Sequence, residues 1–191
     1  DWHNGALQDL CRHNRALLEK KDEDSIRRLE ERDWPVSVRD FARYDYDRHR
    51  GGWRALAYLE DLGLCTDVGD FFRRIFTAEN DLGFPAFPPV TDVIRVIHEA
   101  GGAALCAHLA STFHGEGVEA YLPELQEEPL DGLECYHSGH SEKDTQFLAS
   151  YCREHGLCIS GGSDCHGTFV PSRHLGQPVV DSVDLYLPGL L

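Results

Sequence analysis

The chain has 191 residues, with 33 Asp and Glu against 18 Lys and Arg, a formal charge of −15, 41% hydrophobic residues and 27% charged ones. That is an ordinary globular balance, enough for one domain with a real core, or a core plus an appendage. No run of about 18 apolar residues exists, so a helical membrane span is excluded. The opening DWHNGALQDL is not a signal peptide. So acidic a surface argues against non-specific duplex DNA binding, yet leaves a phosphorylated substrate open, because bound divalent metals invert the local field. The seven cysteines, at 11, 65, 106, 135, 152, 158 and 165, form no CxxC pair. Their odd number and apolar settings favour reduced thiols and a cytoplasmic location.

Apolar residues at helical spacing predict a helix over 5–32, broken by Trp34-Pro35. Ser37 reads as the N-cap of a helix over Val38–Tyr44. Further helices are expected over Arg54–Leu62, closed by Gly63, and over Asp67–Phe76. The stretch Asp81–Pro89 is a connector. Beyond it the texture changes. Helices over Asp92–Ala100, Glu119–Leu125 and Glu142–His155 alternate with apolar strands over Ala103–Ala107, Gly132–Tyr136 and Leu157–Ser160. Such alternation predicts an α/β architecture with parallel pairing. The expected division is a helical region over residues 1–89 and an α/β region over residues 90–191.

Each strand runs into residues that can hold ligands. The first delivers His108, the second Tyr136, His137 and His140, and the third Gly161-Gly162-Ser163-Asp164-Cys165-His166. In parallel α/β folds, sites form at the C-terminal strand ends. Asp164 and His166 lie two apart, so in extended chain they point the same way, and a carboxylate with an imidazole suits Zn, Mn or Fe. The same residues also fit a Gly-rich turn whose Asp bonds its own backbone. His108 fits a satisfied core histidine, and His137 and His140 fit loop histidines. Glu134 fits a buried, paired carboxylate. Arg12, Arg15, Arg50 and Arg54 fit either a solvated helix face or a phosphate site.

The motifs resemble those of the PHP (polymerase and histidinol phosphatase) phosphoesterases. VIRVIHEAGGAALCAH resembles their AGG…AH segment, DGLECYHSGHS their G-[IL]-E-[VC]-Y…HS strand, and GLCISGGSDCHG their GSD-x-HG motif. The linker LGFPAFPP and the segments RHNRALLEK and RHRGGWRALAYLEDLGL resemble the family's helical insertion. The resemblance implies a distorted (β/α)7 TIM-like barrel with an insertion, and two or three Mn, Zn or Fe ions. It makes His108, Asp164 and His166 metal ligands, and places Arg12, Arg15, Arg50 and Arg54 at the substrate phosphate. It gives His140 and His166 catalytic positions, although a metal-bound His166 would not act as a base. The implied substrate is a small phosphomonoester, a nucleotide or an oligonucleotide 5′ end.

Two departures stand. The family's opening H-x-H motif, with the Asp, His and bridging Glu that follow it, is absent, and Leu109 follows the barrel histidine where Pro is usual. The chain starts at Asp1 and has no Met, so it is expected to be the C-terminal portion of a longer enzyme. Two other readings remain: a non-catalytic binding module on the same scaffold, and an amidohydrolase-type enzyme cleaving C–N bonds.

Overall fold

The computed structural model describes residues 1–112, 118–121 and 127–188. The chain divides into two compact units: Asp1–Leu10, Pro88–Cys165 and Arg173–Leu191 form one, and Cys11–Phe87 with His166–Ser172 the other. The units therefore interleave in sequence, unlike the single division at residue 89.

In the second unit the described residues form helices and turns. The long helix Gly5–Glu30, which begins in the first unit, buries Asp22, Ser25, Ile26 and Leu29 near its C-terminal end. Ser37 caps Val38–Arg43 by accepting from the Asp40 N–H at 3.2 Å. The helix Arg54–Asp61 has no cap from its own N-cap residue, Trp53. Asp22 supplies one from the first helix, accepting the Ala55 N–H at 3.1 Å. A carboxylate at a helix N-terminus also meets the positive end of the helix dipole.

Ile26, Leu29, Leu56, Leu59, Phe71 and Ile75 are the fully buried centre of this unit. Around them runs an aromatic chain in which Trp53 meets Phe71, Phe72 and Phe169 at 5.4–5.8 Å between ring centroids. Phe169 reaches Trp53 because Gly51 and Gly52 leave room: a Cβ on Gly52 would lie 2.5 Å from its ring. The expectation of one helix over 67–76 is corrected in detail, since Val68–Asp70 passes into a wider π turn, Phe71–Ile75. Asp70, buried, receives Arg73 at 2.7 Å and Arg74 at 2.5 Å.

The first unit is mixed. Among the described residues its sheet holds three parallel strands in the order β1 (Leu105–Cys106), β2 (Gly132–His137) and β3 (Cys158–Gly162). The helix Glu142–His155 connects β2 to β3. It opens with a capping box at Ser141 and Asp144 and closes at Gly156 with φ 68°. Leu133 and Cys135 from β2, Ile159 from β3, and Leu148, Ala149 and Cys152 from the helix pack as the core. Cys135 and Cys152 are free thiols with sulfurs 3.7 Å apart. The helix Val90–Glu99 precedes β1. Asp131 ties the N-terminal strand ends together. Its carboxylate accepts the Ala104 N–H at 2.6 Å and meets His98 at 2.8 Å, and its carbonyl accepts the Cys158 N–H at 2.7 Å. The expected helix over 119–125 is a short turn, Val118–Ala120, where the chain is described; residues 122–125 lie outside the described residues. The mixed α/β class holds, with parallel pairing. No described helix is long and apolar enough to cross a membrane.

Two outcomes follow from this packing. Gly132 faces Cys158 so closely that a Cβ would lie 2.4 Å from the Cys158 carbonyl oxygen. Gly132→Ala should therefore cost about 1–3 kcal/mol in denaturant unfolding, towards the upper end because backbone cannot yield as a side chain does; a loss near zero would show that the strands are farther apart. The Asp70 carboxyl is held well below the usual carboxylate range, first by its hydrogen bond from Arg74. Its stabilising effect is present above its unfolded pKa of about 3.9 and fades as pH falls below it. Asp70→Asn should lower the melting temperature at pH 7, and the deficit should shrink steadily as the pH is taken below about 4 towards the folded-state pKa; a deficit that stays constant down to pH 2 would mean the ionised carboxylate is not what matters.

Candidate functional site

The three strands end together, and their last residues meet. Glu134, on β2, accepts the His108 N–H from the end of β1 at 2.7 Å through Oε2. Its Oε1 leans over Gly162 on β3, where a Cβ would stand 2.7 Å away. One carboxylate thus spans the ends of all three strands. The reading of Glu134 as a buried, paired carboxylate holds only in part: the side chain is half-buried, and its partner here is a backbone N–H.

His108 has φ 36° and Asp164 φ 49°. Both are left-handed conformations that non-glycine residues rarely take, at a cost of about 1–3 kcal/mol each. Beyond Gly162 the chain has left the strand, so the alternation expected to aim Asp164 and His166 alike does not apply. His166 lies in the second unit, where its ring meets Phe169 at 6.3 Å between centroids and its carbonyl accepts the Phe169 N–H.

His137 is buried at the end of β2, with its ring 5.6 Å from that of His108 and 5.1 Å from that of His140. Its Nδ1 accepts the Gly139 N–H at 2.9 Å. A neutral ring then carries its proton on Nε2, which lies 3.5 Å from Asp164 Oδ2. Burial is the main reason that its pKa falls below the ordinary histidine value. His140 bridges two elements: Nδ1 donates to the Cys135 carbonyl at 3.0 Å, and Nε2 accepts the Ala110 N–H at 3.3 Å. Asp164 is ion-paired with Arg173. Sequence reasoning missed Arg173, although it is the one Lys or Arg after Arg153.

Among the described residues no group of three or more His, Cys, Asp and Glu could hold a metal ion. The donor chemistry agrees. The lone pairs of His137 Nδ1 and His140 Nε2 face backbone N–H groups, Glu134 Oε2 is taken by His108, and Asp164 faces a guanidinium. The described residues do not by themselves make a metal centre.

In the second unit, Arg15 and Arg54 line one cavity of about 880 Å³, together with Lys21, Trp53, Phe72 and Phe84. The Lys21 ammonium stands 5.2 Å from the Trp53 ring centroid and 2.9 Å from Asp22. Arg54 donates to the Phe41 and Tyr44 carbonyls. Arg50 lies at a second cavity, of about 380 Å³, and is paired with Asp61 at 2.7 Å and Glu60 at 3.3 Å. Arg12 belongs to neither lining. Burial and the hydrogen bond to Asp61 push the Tyr44 hydroxyl, beside Arg50, up to about 12.

The Glu134 contact generates one prediction. Glu134→Ala leaves the His108 N–H without this acceptor and should cost about 1–3 kcal/mol. Glu134→Gln keeps an acceptor at the same reach and should cost less. Equal losses in thermal melts would show that the carboxylate does not hold His108.

No family model matches the chain. It is 36% identical over 87 residues to the phosphoribosyl 1,2-cyclic phosphate 1,2-diphosphodiesterase of Eggerthella lenta, a match that covers 44% of this chain and 31% of that protein. It is 28% identical over 168 residues to a 5′-3′ exoribonuclease of Haemophilus influenzae, covering 87% of this chain and 61% of that one. A crystal structure from Bifidobacterium adolescentis, described as a metal-dependent phosphoesterase, superposes with a TM-score of 0.76 at 23% identity, covering 95% of this chain and 65% of that one. An amidohydrolase from Chromobacterium violaceum, solved with bound sulfate and no metal, gives 0.68 at 23%, covering 87% and 60%. The chain thus spans 31% and 61% of the length of the two curated relatives. The resemblance drawn from the sequence agrees with the names of these relatives, a phosphodiesterase and an exoribonuclease, and the two solved structures share the fold.

Proposed function

We propose that this chain belongs to a metal-dependent phosphoesterase that hydrolyses a small phosphomonoester or a nucleotide or oligonucleotide 5′ end, on a distorted (β/α)7 barrel with a helical insertion. The observation that carries the reading is the meeting of Glu134, His108, His137 and Asp164 at the C-terminal ends of three parallel strands, in a chain whose relatives cleave phosphate esters. Parallel α/β folds place their chemistry at that edge.

Charge supports it. The first unit holds four Lys and Arg against seventeen Asp and Glu; the second holds fourteen against sixteen. An acidic half suits cations and a half rich in arginine suits a phosphate group, since guanidinium forks bind its oxygens two at a time. Arg15 and Arg54, on one cavity, are the proposed phosphate pair, with Arg12 and Arg50 as further candidates. Asp164, His108 and His166 are the proposed metal-side residues, the remaining ligands coming from outside the described residues. His140 and His166 are the candidates for proton transfer at the substrate. Divalent Mn, Zn or Fe is the proposed cofactor class.

The test is hydrolysis of p-nitrophenyl phosphate and of a 5′-phosphorylated ribo-oligonucleotide by the protein that contains this chain, with and without Mn²⁺. Asp164→Asn should lower kcat/KM at least about a hundredfold, as removing a charge-stabilising group does. Hydrolysis that survives both chelation and Asp164→Asn, or turnover confined to amide substrates, overturns the reading.

A further inference from the structure

The cavity of about 880 Å³ in the second unit has the size of pockets that take a small organic ligand, about 300–1,000 Å³. One of its walls is aromatic. Between ring centroids, Trp53 stands 5.8 Å from Phe72, and Phe72 stands 5.6 Å from Phe76 and 6.3 Å from Phe84. Phe76 is buried and meets Phe84 edge-on at 5.0 Å. Phe72 and Phe84 differ from it: they are 42% and 61% exposed, and both line the cavity. The packing of this unit therefore leaves ring surface open on two neighbouring phenylalanines, at the edge of a hollow large enough to hold a ligand.

The charged part of the lining limits what that ligand can be. It carries four Lys and Arg, namely Arg15, Lys21, Arg48 and Arg54, against four Asp and Glu. A hydrocarbon chain would cover the rings but strip water from those charged groups with nothing in return. A lone phosphate would use the cations, meet the carboxylates and leave the rings bare. A planar nitrogen heterocycle answers both features: its face lies on a phenyl ring, and its edge carries donors and acceptors together. Lys21, 5.9 Å from the Phe84 centroid and paired with Asp22, adds a fixed cation beside the rings for an electron-rich edge. The Trp53 Nε1–H is buried without a hydrogen-bond partner among the described residues, a donor of the kind that a ring nitrogen or carbonyl satisfies.

We propose that this cavity is a nucleobase-binding site, with Phe72 and Phe84 as its stacking platform. The helical unit then has a task of its own: it selects a nucleotide over a phosphorylated sugar by holding the base. Every base has a stacking face, so the site tolerates different bases and favours purines only by their larger area. That the base belongs to a substrate rests on the phosphoesterase reading above; the stacking site itself does not.

Adenosine, which has no phosphate, is the probe, titrated calorimetrically in the presence of a chelator into the protein that contains this chain. It should bind with a Kd in the millimolar range or below. Phe72→Ala and Phe84→Ala, both at exposed rings, should each weaken it about tenfold. Phe84→Tyr keeps a ring face and should bind as wild type does, whereas Phe84→Leu keeps apolar bulk without that face and should be as weak as Phe84→Ala. A second measurement needs no variant to fold: in the wild-type protein, the adenosine H2 and H8 protons should show nuclear Overhauser contacts to the ring protons of Phe72 or Phe84. Absence of adenosine binding at millimolar concentration, alanine or leucine variants that bind as wild type, or contacts that fall on neither ring overturns the proposal. Adenosine binding in a protein that hydrolyses no phosphoester would leave the site standing and sink the proposed function; hydrolysis without adenosine binding would do the reverse.

Discussion

The carboxylate of Glu134 is the constraint on which the strand-end geometry rests. A parallel sheet leaves its C-terminal edge with backbone groups that the ladder no longer satisfies. Here a β2 side chain reaches sideways to the first N–H beyond β1, while the neighbouring strand offers glycine so that the carboxylate has room. With that bridge in place, His108 can hold a left-handed conformation and His137 can sit buried beside it. Asp131 does the corresponding work at the opposite edge, tying helix, β1 and β3. The sheet is short, and two acidic side chains, one on β2 and one just before it, fix its two ends.

Charge is distributed by unit rather than by element. The helical unit is nearly balanced and pairs its cations locally, as Asp70 does with Arg73 and Arg74, or Arg50 with Asp61. The mixed unit carries almost all of the chain's excess negative charge. Such an imbalance costs stability unless something positive is bound. The geometry around Asp164 shows how one such carboxylate is met from within.

Capping chemistry made most elements legible before any coordinates. Ser37 and Gly63 mark helix ends because a cap is a local interaction between neighbours in sequence, whereas the capping box at Ser141 came only with the structure. The three strands were legible from apolar runs, though β1 is only two residues long, and His108, just beyond it, bonds Glu134 instead of continuing the ladder. What failed was an argument from regularity: Asp164 and His166 were aligned by assuming extended chain, and Asp164 has φ 49°. Arg173 and the cap from Asp22 were invisible for another reason. Each acts on a group brought near only by folding, and no spacing rule announces it. The roles of the arginines belong to the same class, because a helix face shows that Arg54 is basic but not that Phe41 and Tyr44 supply its acceptors.

The cap that Asp22 gives to Ala55 joins residues 33 apart in sequence. A helix of eight residues whose start is completed only by a distant side chain is marginal as an isolated peptide. Arg54–Asp61 therefore depends on the first helix for its existence as well as for its packing. The two should appear and disappear together in native-state hydrogen exchange, as one cooperative block. Within that block a fault in the first helix is felt at Trp53 and along the cavity wall, so substitutions far from any ligand would reshape the pocket by loosening a neighbour's first turn.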